Sequence, residues 1–377
     1  MHKEDLQPGV FRNRFGAARI EALRRFGGTQ ETEAAVRDGL AYLARMQQDD
    51  GSWGSKGKID RKYGETFVGK TALCLLAFLG AGHVPGKRQK HSKVARDAME
   101  FLLYVQDQET GHFGLTSAYS HGISTYALAE CYALTREARL RAPLTSAVTW
   151  ILENQNASRD RTQDGGWGYY SPTLRREDVY ARTSVSSWQV MALLSAQKAG
   201  LEIPRGALSR AQRFFSNNYD RRRGYFLYSR EPDRLRSQWR TLPASTPASV
   251  FSLLLLGEKS SSARVQGGLA FTLERRPRRY GWRGDDAFVR KAEGNTYFWY
   301  YGSLACFLAG GETWKQWNRS LVEVLPRAQQ GDGSFAALGP YAAYAGDGQR
   351  DRSYTTAMCV LSLEVYYRYF TPLLQGR

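Results

Sequence analysis

Gln47-Gln48-Asp49-Asp50-Gly51-Ser52-Trp53-Gly54 decides the reading of this chain, because its pattern returns five more times. A glycine leading into an aromatic recurs at Phe113, Trp167, Tyr225, Trp282 and Phe335, at intervals of 53 to 60 residues. A period of that length held over six copies marks a repeat architecture. The steps Asp50-Gly51, Asp164-Gly165 and Asp332-Gly333 have the chemistry of a chain reversal, since Asp bonds its own backbone and Gly accepts positive φ. Glutamines precede most of these corners, at Gln47-Gln48, Gln106, Gln155 and Gln329-Gln330. An amide donates and accepts at once, so it can satisfy helix-end groups of a neighbouring repeat. The six aromatics Trp53, Phe113, Trp167, Tyr225, Trp282 and Phe335 therefore read as structural corners.

Each corner lies between two helical patterns. The first partners, Ala34 to Met46, Lys93 to Val105, Pro143 to Asn154, Gly206 to Asn217, Ala263 to Leu273 and Thr313 to Ala328, are amphipathic. Val36, Leu40 and Leu43 share a face, with Arg37 and Asp38 opposite. The second partners, Thr66 to Leu79, His121 to Leu134, Thr183 to Ala199, Thr246 to Leu256, Thr296 to Ala309 and Ser353 to Tyr369, are nearly free of charge over their central turns, as enclosed helices are. Strict alternation predicts an all-α (α/α)6 toroid, a closed barrel of six inner helices inside six outer ones. An open solenoid would need polar capping repeats, and none is seen. The expected organisation is one toroid domain over residues 30–377, preceded by an Arg-rich strap over residues 1–29.

At 42% hydrophobic and 24% charged residues the composition is that of a globular chain with a large core, not a disordered one. Apolar runs such as Thr71 to Ala81 and Val250 to Gly257 fall short of the roughly 18 residues that cross a bilayer. Met1-His2-Lys3-Glu4-Asp5 lacks the basic and apolar regions of a secretory signal. Cys74, Cys131, Cys306 and Cys359 lie in apolar helices with no CxxC pair, as buried reduced thiols do. The expected location is cytoplasmic, with peripheral membrane contact as an extension.

The corners Gln47 to Gly54 and Gln155 to Gly168 resemble the glutamine-tryptophan repeats of the terpenoid cyclase and protein prenyltransferase superfamily. The stretches His121-Gly122-Ile123-Ser124-Thr125-Tyr126-Ala127-Leu128-Ala129-Glu130 and Thr183-Ser184-Val185-Ser186-Ser187-Trp188-Gln189 are similar to bacterial prenyltransferase and squalene-oxidase repeat proteins. The resemblance spans about residues 30 to 370 and implies the toroid; activity does not travel with a fold. Class II cyclases of that superfamily protonate an alkene with an Asp-x-Asp-Asp motif, which is missing here. Asp49-Asp50 and Asp285-Asp286 are isolated pairs, and Asp347 and Asp351 are too widely spaced. Protein prenyltransferases hold zinc with Asp, Cys and a late His, yet the five histidines end at His121. No metal or cofactor is expected.

What remains are candidates. His121, Asp286 and Asp351 are the residues that acid–base work would use; His121 reads equally as a core residue satisfied locally, and Asp286 as a solvated corner. His121, Tyr126, Trp188, Gln189, Trp299, Tyr300 and Tyr301 are expected to line a central cavity whose π faces hold an isoprenoid or other apolar ligand, unless they are plain core. Two rivals stand beside this reading. A polysaccharide lyase or hydrolase would draw on Arg182, Asp178, Asp286 and Arg283, and a non-catalytic scaffold would need only the ring. The net charge of +17 is uneven: residues 205–291 carry 19 Lys and Arg against 7 Asp and Glu, including Arg221-Arg222-Arg223 and Arg275-Arg276-Pro277-Arg278-Arg279. Base-reading motifs are absent, so nucleic acid is not an expected partner; an anionic membrane leaflet is.

Overall fold

A computed structural model describes residues 11–54, 66–114, 118–169, 180–232 and 242–368, with the side chains of 285 and 286 set aside. Helix α1 (Gly16–Phe26) precedes six hairpins. The outer helices are α2 (Gln30–Met46), α4 (Ser92–Val105), α6 (Arg141–Glu153), α8 (Arg205–Asn217), α10 (Ala263–Glu274) and α13 (Gly311–Ala328). The inner ones are α3 (Phe67–Gly80), α5 (Ala118–Thr135), α7 (Thr183–Ala199), α9 (Ser245–Leu255), α12 (Thr296–Ala309) and α15 (Ser353–Leu363). Short helices α11 (Asp285–Lys291) and α14 (Gly339–Tyr344) sit in the fifth and sixth corners, and α16 (Val365–Arg368) extends the last hairpin. Strands β1 (Tyr219–Asp220) and β2 (Tyr225–Phe226) pair antiparallel across the fourth corner.

The two kinds of helix bury what their sequences predict. On α2, Ala35, Val36, Gly39, Leu40 and Leu43 face inward, and a reciprocal capping box between Thr29 and Thr32 starts the helix. On α3 every residue from Val68 to Gly80 is buried. Each inner helix packs against the next, and α15 returns to α3, so the barrel closes. Among the described residues no helix is long and apolar enough to cross a membrane.

The corner glutamines weld the ring. Gln47 Nε2 donates to Gly51 O in its own corner and to Val94 O on the next outer helix, both at 3.0 Å. Gln106 does the same with Gly111 O and Pro143 O, and Gln155 with Gly165 O and Ala207 O. Gln329 reaches Gly333 O at 2.9 Å and Ala35 O at 2.8 Å, so the sixth repeat is stitched to the first by the same device. Glycine is required beside it: Gly51 has φ 87°, and a Cβ there would lie 2.2 Å from Asp97 O. Gly333, at φ 86°, would meet Asp38 O at 2.3 Å, again across the closure. Replacing Gln329 by Ala removes two hydrogen bonds, those to Gly333 O and to Ala35 O, the latter an oxygen that keeps its helical partner. The expected loss is about 1–3 kcal/mol, read as a lower denaturant midpoint; an unchanged midpoint would mean that the closure does not rest on this staple.

The corner aromatics follow a second rule. Trp53 N–H donates to Thr71 Oγ1 (3.0 Å), Trp167 N–H to Ser186 Oγ (2.9 Å) and Phe335 N–H to Thr356 Oγ1 (3.2 Å). Phe113 N–H donates to His121 Nδ1 at 3.1 Å. In each case a side chain near the start of the inner helix receives the corner amide. In the fourth repeat the residue in this position is Phe226, whose amide donates to Thr246 Oγ1 at 3.0 Å, and not Tyr225. The register moves by one because β2 turns Tyr225 toward Phe271 on α10. The fifth corner departs altogether. Trp282 is 40% exposed, while Tyr280 packs on Trp299 and Phe335 in its place.

The segment before the ring closes one end of the barrel. Arg14, buried, donates to Leu79 O (3.1 Å) and makes a two-pronged ion pair with Glu130 (2.9 and 3.2 Å). Arg368 reaches the same carboxylate at 3.1 Å. Trp314 Nε1 donates to Phe26 O, and Asn318 Nδ2 to Gly27 O, which pins α1 to the outer wall. All of this lies at the C-terminal ends of α3 and α5, so the opposite end is the one left open.

Candidate functional site

The inner helices run parallel and begin at the corners, so their N-termini converge at the open end. A cavity of about 390 Å³ occupies that convergence, within the usual range for small-molecule sites. Its wall is built from first and second turns: Thr66, Gly69, Lys70 and Leu73 from α3 and its cap, Tyr119, Ser120 and Ile123 from α5, Ser184 and Trp188 from α7. Ala244 and Ser245 come from the start of α9, Tyr297 from α12 and Tyr354 from α15. Tyr169 and Tyr228 enter from the third and fourth corners, and Pro340, Tyr341, Tyr344 and Ala345 from around α14 form the roof.

Seven tyrosines and one tryptophan therefore surround the space. Trp188 Nε1 donates to Tyr297 Oη at 2.9 Å, Tyr119 Oη and Ser184 Oγ are hydrogen-bonded at 2.5 Å, and Tyr169 bonds Tyr228. Burial pushes the phenols of Tyr119, Tyr228, Tyr297 and Tyr354 well above their ordinary range, so they stay neutral. An aromatic relay continues outward: Tyr297 meets Tyr341 (5.9 Å), Tyr341 meets Phe288 (4.8 Å), and Phe288 meets the exposed Trp282 (5.5 Å). Tyr344 is 53% exposed at the mouth.

Lys70 is the charged residue of this wall among the described residues. Its Nζ lies 3.0 Å from both Asp347 Oδ1 and Asp351 Oδ2. Burial opposes its charge, but the two carboxylates outweigh it and raise the ammonium above its ordinary value. Asp347 also accepts the amides of Tyr354 (3.1 Å) and Thr355 (2.7 Å), and Asp351 that of Ser353 (2.9 Å), so together they cap α15. Burial raises Asp347 despite Lys70; Asp351, less buried, is held down by Lys70 and Ser353 against its own desolvation.

Of the residues expected around the cavity, the structure places Trp188 on its wall. Tyr300 stacks on the far side of Trp188 at 5.6 Å, and Tyr301 points its hydroxyl at Met191 Sδ. Gln189 ties α7 to α5 through Ala118 O (2.7 Å), and Trp299 packs on Tyr280. Tyr126 lies at the closed end beneath Arg368. His121 is fully buried, with Nε2 on Ala147 O (3.0 Å), stacked on His112 and 4.3 Å from Trp150. Burial keeps its pKa well below the ordinary histidine value, with His112 adding to the effect. It does for the second corner what Thr71, Ser186, Thr246 and Thr356 do for theirs. Asp351 belongs to the Lys70 cluster; the side chain of Asp286 and all of Asp178 lie outside the described residues. Arg283 is surface-exposed and paired with Glu293, while Arg182 lies behind the wall, over Tyr169 and bonded to Glu231. Sequence reasoning missed Lys70, Tyr119, Ser184, Tyr228, Ser245, Tyr341 and Tyr354. The available signal was register: Tyr119, Ser184, Tyr297 and Tyr354 are each the second residue of an inner helix.

Six helical hairpins closed around a tyrosine-rich chamber make the chain an α/α toroid. The profile of the squalene-hopene cyclase C-terminal domain matches residues 71–222. The type II terpene cyclase MstE from Scytonema, in complex with merosterolic acid A, superposes with a TM-score of 0.62 at 14% identity, over 92% of this chain and 99% of that one. Without ligand the same cyclase gives 0.61 at 15% identity, over 89% and 98%. An α-1,6-mannanase from Salegentibacter, bound to α-1,6-mannotriose, gives 0.62 at 8% identity, over 89% and 99%. At such identities the likeness speaks for the fold alone. No curated protein matches the chain.

Proposed function

We propose that this ring binds an isoprenoid or similar apolar ligand in its chamber, as a squalene cyclase-like repeat protein. The observation that carries the reading is the wall itself, eight aromatic side chains around about 390 Å³ at the open end of a barrel whose other end is plugged. Neutral phenols and an indole give π faces that suit an unsaturated chain or a cation formed on one. The Scytonema cyclase, which shares the fold, takes geranylgeranyl dihydroxybenzoate as its substrate.

The mannanase likeness supports the rival toroid hydrolase, but glycoside hydrolysis needs two carboxylates flanking the bond. The described lining is dominated by aromatic and aliphatic side chains, and the carboxylates nearest to it, Asp347 and Asp351, are engaged by Lys70, which supports the apolar reading. The test is organic extraction of the purified protein followed by mass spectrometry. A polyprenyl or comparable chain should be recovered from the parent and lost from Ile123→Trp, which fills the chamber. Absence of lipid from the parent together with turnover of an α-1,6-mannan would overturn the reading.

A membrane is the proposed source of such a ligand. The turn holding Arg221, Arg222 and Arg223 and the run Arg275 to Arg279 both lie at corners, on the same end of the ring as the mouth, where Trp282 and Tyr344 are exposed. Near an anionic leaflet each Arg contributes about 1 kcal/mol. Co-sedimentation with anionic vesicles should be strong at low salt, weak at high salt, and lost when Arg221, Arg222, Arg223, Arg275, Arg276, Arg278 and Arg279 become Gln. Equal binding to neutral vesicles would rule the basic rim out.

A further inference from the structure

At the fifth corner Tyr280 takes the place that the corner aromatic holds elsewhere, which frees Trp282 for another contact. Its indole lies against the roof. A Cβ built on Gly339, the first residue of α14, would fall 2.5 Å from Trp282 Cζ3 and 3.2 Å from Phe288 Cδ2, so both rings press on the backbone where the roof helix begins. Phe288 carries the contact on to Tyr341, and Tyr341 to Tyr297 in the wall. The roof is fixed to the ring on either side of α14. Before it, Ala336 O accepts from Tyr280 Oη at 2.6 Å; after it, Asp347 is held by Lys70 and by the amides of Tyr354 and Thr355. Between these points the described turn bonds close within the segment: Ala345 N–H to Tyr341 O, Gly346 N–H to Ala343 O and Asp347 N–H to Ala342 O. Aromatic side chains hold α14 down. Gly339 (φ 68°) and Gly346 (φ 76°) stand at its two ends in the left-handed region, where glycine absorbs a change of chain direction. Leu73, Ile123 and Trp188 beneath are at most 6% exposed, so the floor of the chamber is shielded from solvent.

We propose that α14 is a lid over the chamber, turning at Gly339 and Gly346, and that Trp282 is its clasp. With the indole in place, Gly339 cannot change its φ and ψ without displacing it. With the indole lifted, Phe288 loses its outer neighbour and Tyr341 its backing. The clasp also accounts for a tryptophan left 40% exposed at a corner, where Trp53 and Trp167 are buried. Aromatic contacts of this kind are strong enough to keep a two-state element mostly closed and weak enough to yield. The lid rests on the chamber being the ligand site, since it needs something to admit, and adds how that site opens.

The test reads access to the chamber floor with no ligand present. Ile123→Cys places a thiol there, and its reaction with dithiobis-nitrobenzoate is followed in the full chain; the four native thiols are buried and serve as the background. Labelling should be slow, and about five- to tenfold faster once Trp282→Ala is added, with the unfolding midpoint unchanged and the native thiols still silent. Tyr104→Ala, which removes an exposed aromatic from an outer helix, should leave the rate as it was. A rate that Trp282→Ala does not change, a parent thiol that already reacts as fast as a free one, or native thiols accelerated to the same degree would each overturn the lid. Farnesol at saturation is the second arm and should protect the introduced thiol. Acceleration by Trp282→Ala without protection by farnesol would leave the lid standing and overturn the apolar-ligand reading.

Discussion

Trp167→Ala is expected to lower stability by about 3–5 kcal/mol, while Trp282→Ala stays within about 0.5 kcal/mol. Both tryptophans carry the same sequence signature, a preceding glycine at a corner. Trp167 is 1% exposed, its indole N–H donates to Ile151 O at 2.8 Å, and its backbone N–H is received by Ser186. Removing the indole leaves a void between an inner and an outer helix and strands a carbonyl. Trp282 packs one face on Phe288 and leaves 40% of itself to solvent. Denaturant unfolding of the two variants beside the parent decides this. Equal losses would mean that the fifth corner is built like the others.

The second large effect sits at the closed end, where Glu130→Gln should cost about 3–5 kcal/mol at neutral pH by leaving Arg14 and Arg368 without their shared carboxylate. Burial alone would push Glu130 up, but the two guanidinium groups win and hold it below the usual carboxylate range. Its stabilisation is therefore present above the unfolded-state pKa and is lost as pH falls through the folded one. Glu364 behaves oppositely. Burial raises it to about 8, Arg368 at 3.6 Å only partly compensating, and neither of its oxygens has a hydrogen bond. Its contribution is favourable while the group is protonated and is lost as pH rises from the ordinary carboxylate value to about 8. Glu364→Gln should thus match the parent near pH 4.5 and melt higher than it at pH 8. A Glu364→Gln variant that is less stable at pH 8, or a Glu130→Gln variant that melts like the parent at pH 7, would contradict this account of the plug.

The contrast between corner and chamber explains what the sequence could and could not reveal. Corners are written in local chemistry: Asp, Gly, Gln and an aromatic each serve a need met within a few residues, so their period identifies the toroid. Even there, one-residue shifts are invisible, because Tyr225 and Phe226 are both aromatic and only the β1–β2 pairing chooses between them. The chamber is different. Inner helices are buried on all sides, so periodicity does not separate the face turned to the cavity from the faces turned to neighbours. Trp188 and Tyr300 are equally apolar and equally buried, yet one lines the space and the other stacks behind it. His121 stood out as a lone histidine, whereas its role as receiver of a corner amide appears only when it is aligned with Thr71, Ser186, Thr246 and Thr356. Lys70 lies within an apolar run, and the carboxylates that charge it come from the other end of the chain, across the ring closure.

The central claim, an apolar-ligand chamber at the N-terminal ends of the inner helices, is tested most directly by a crystal structure of the protein grown with farnesol at saturating concentration. The expected result is continuous density for the chain inside the barrel mouth, in van der Waals contact with Trp188, Tyr297 and Tyr354 and beneath the roof formed by Tyr341. Density for water alone in the chamber, with the ligand bound elsewhere or not at all, would contradict it.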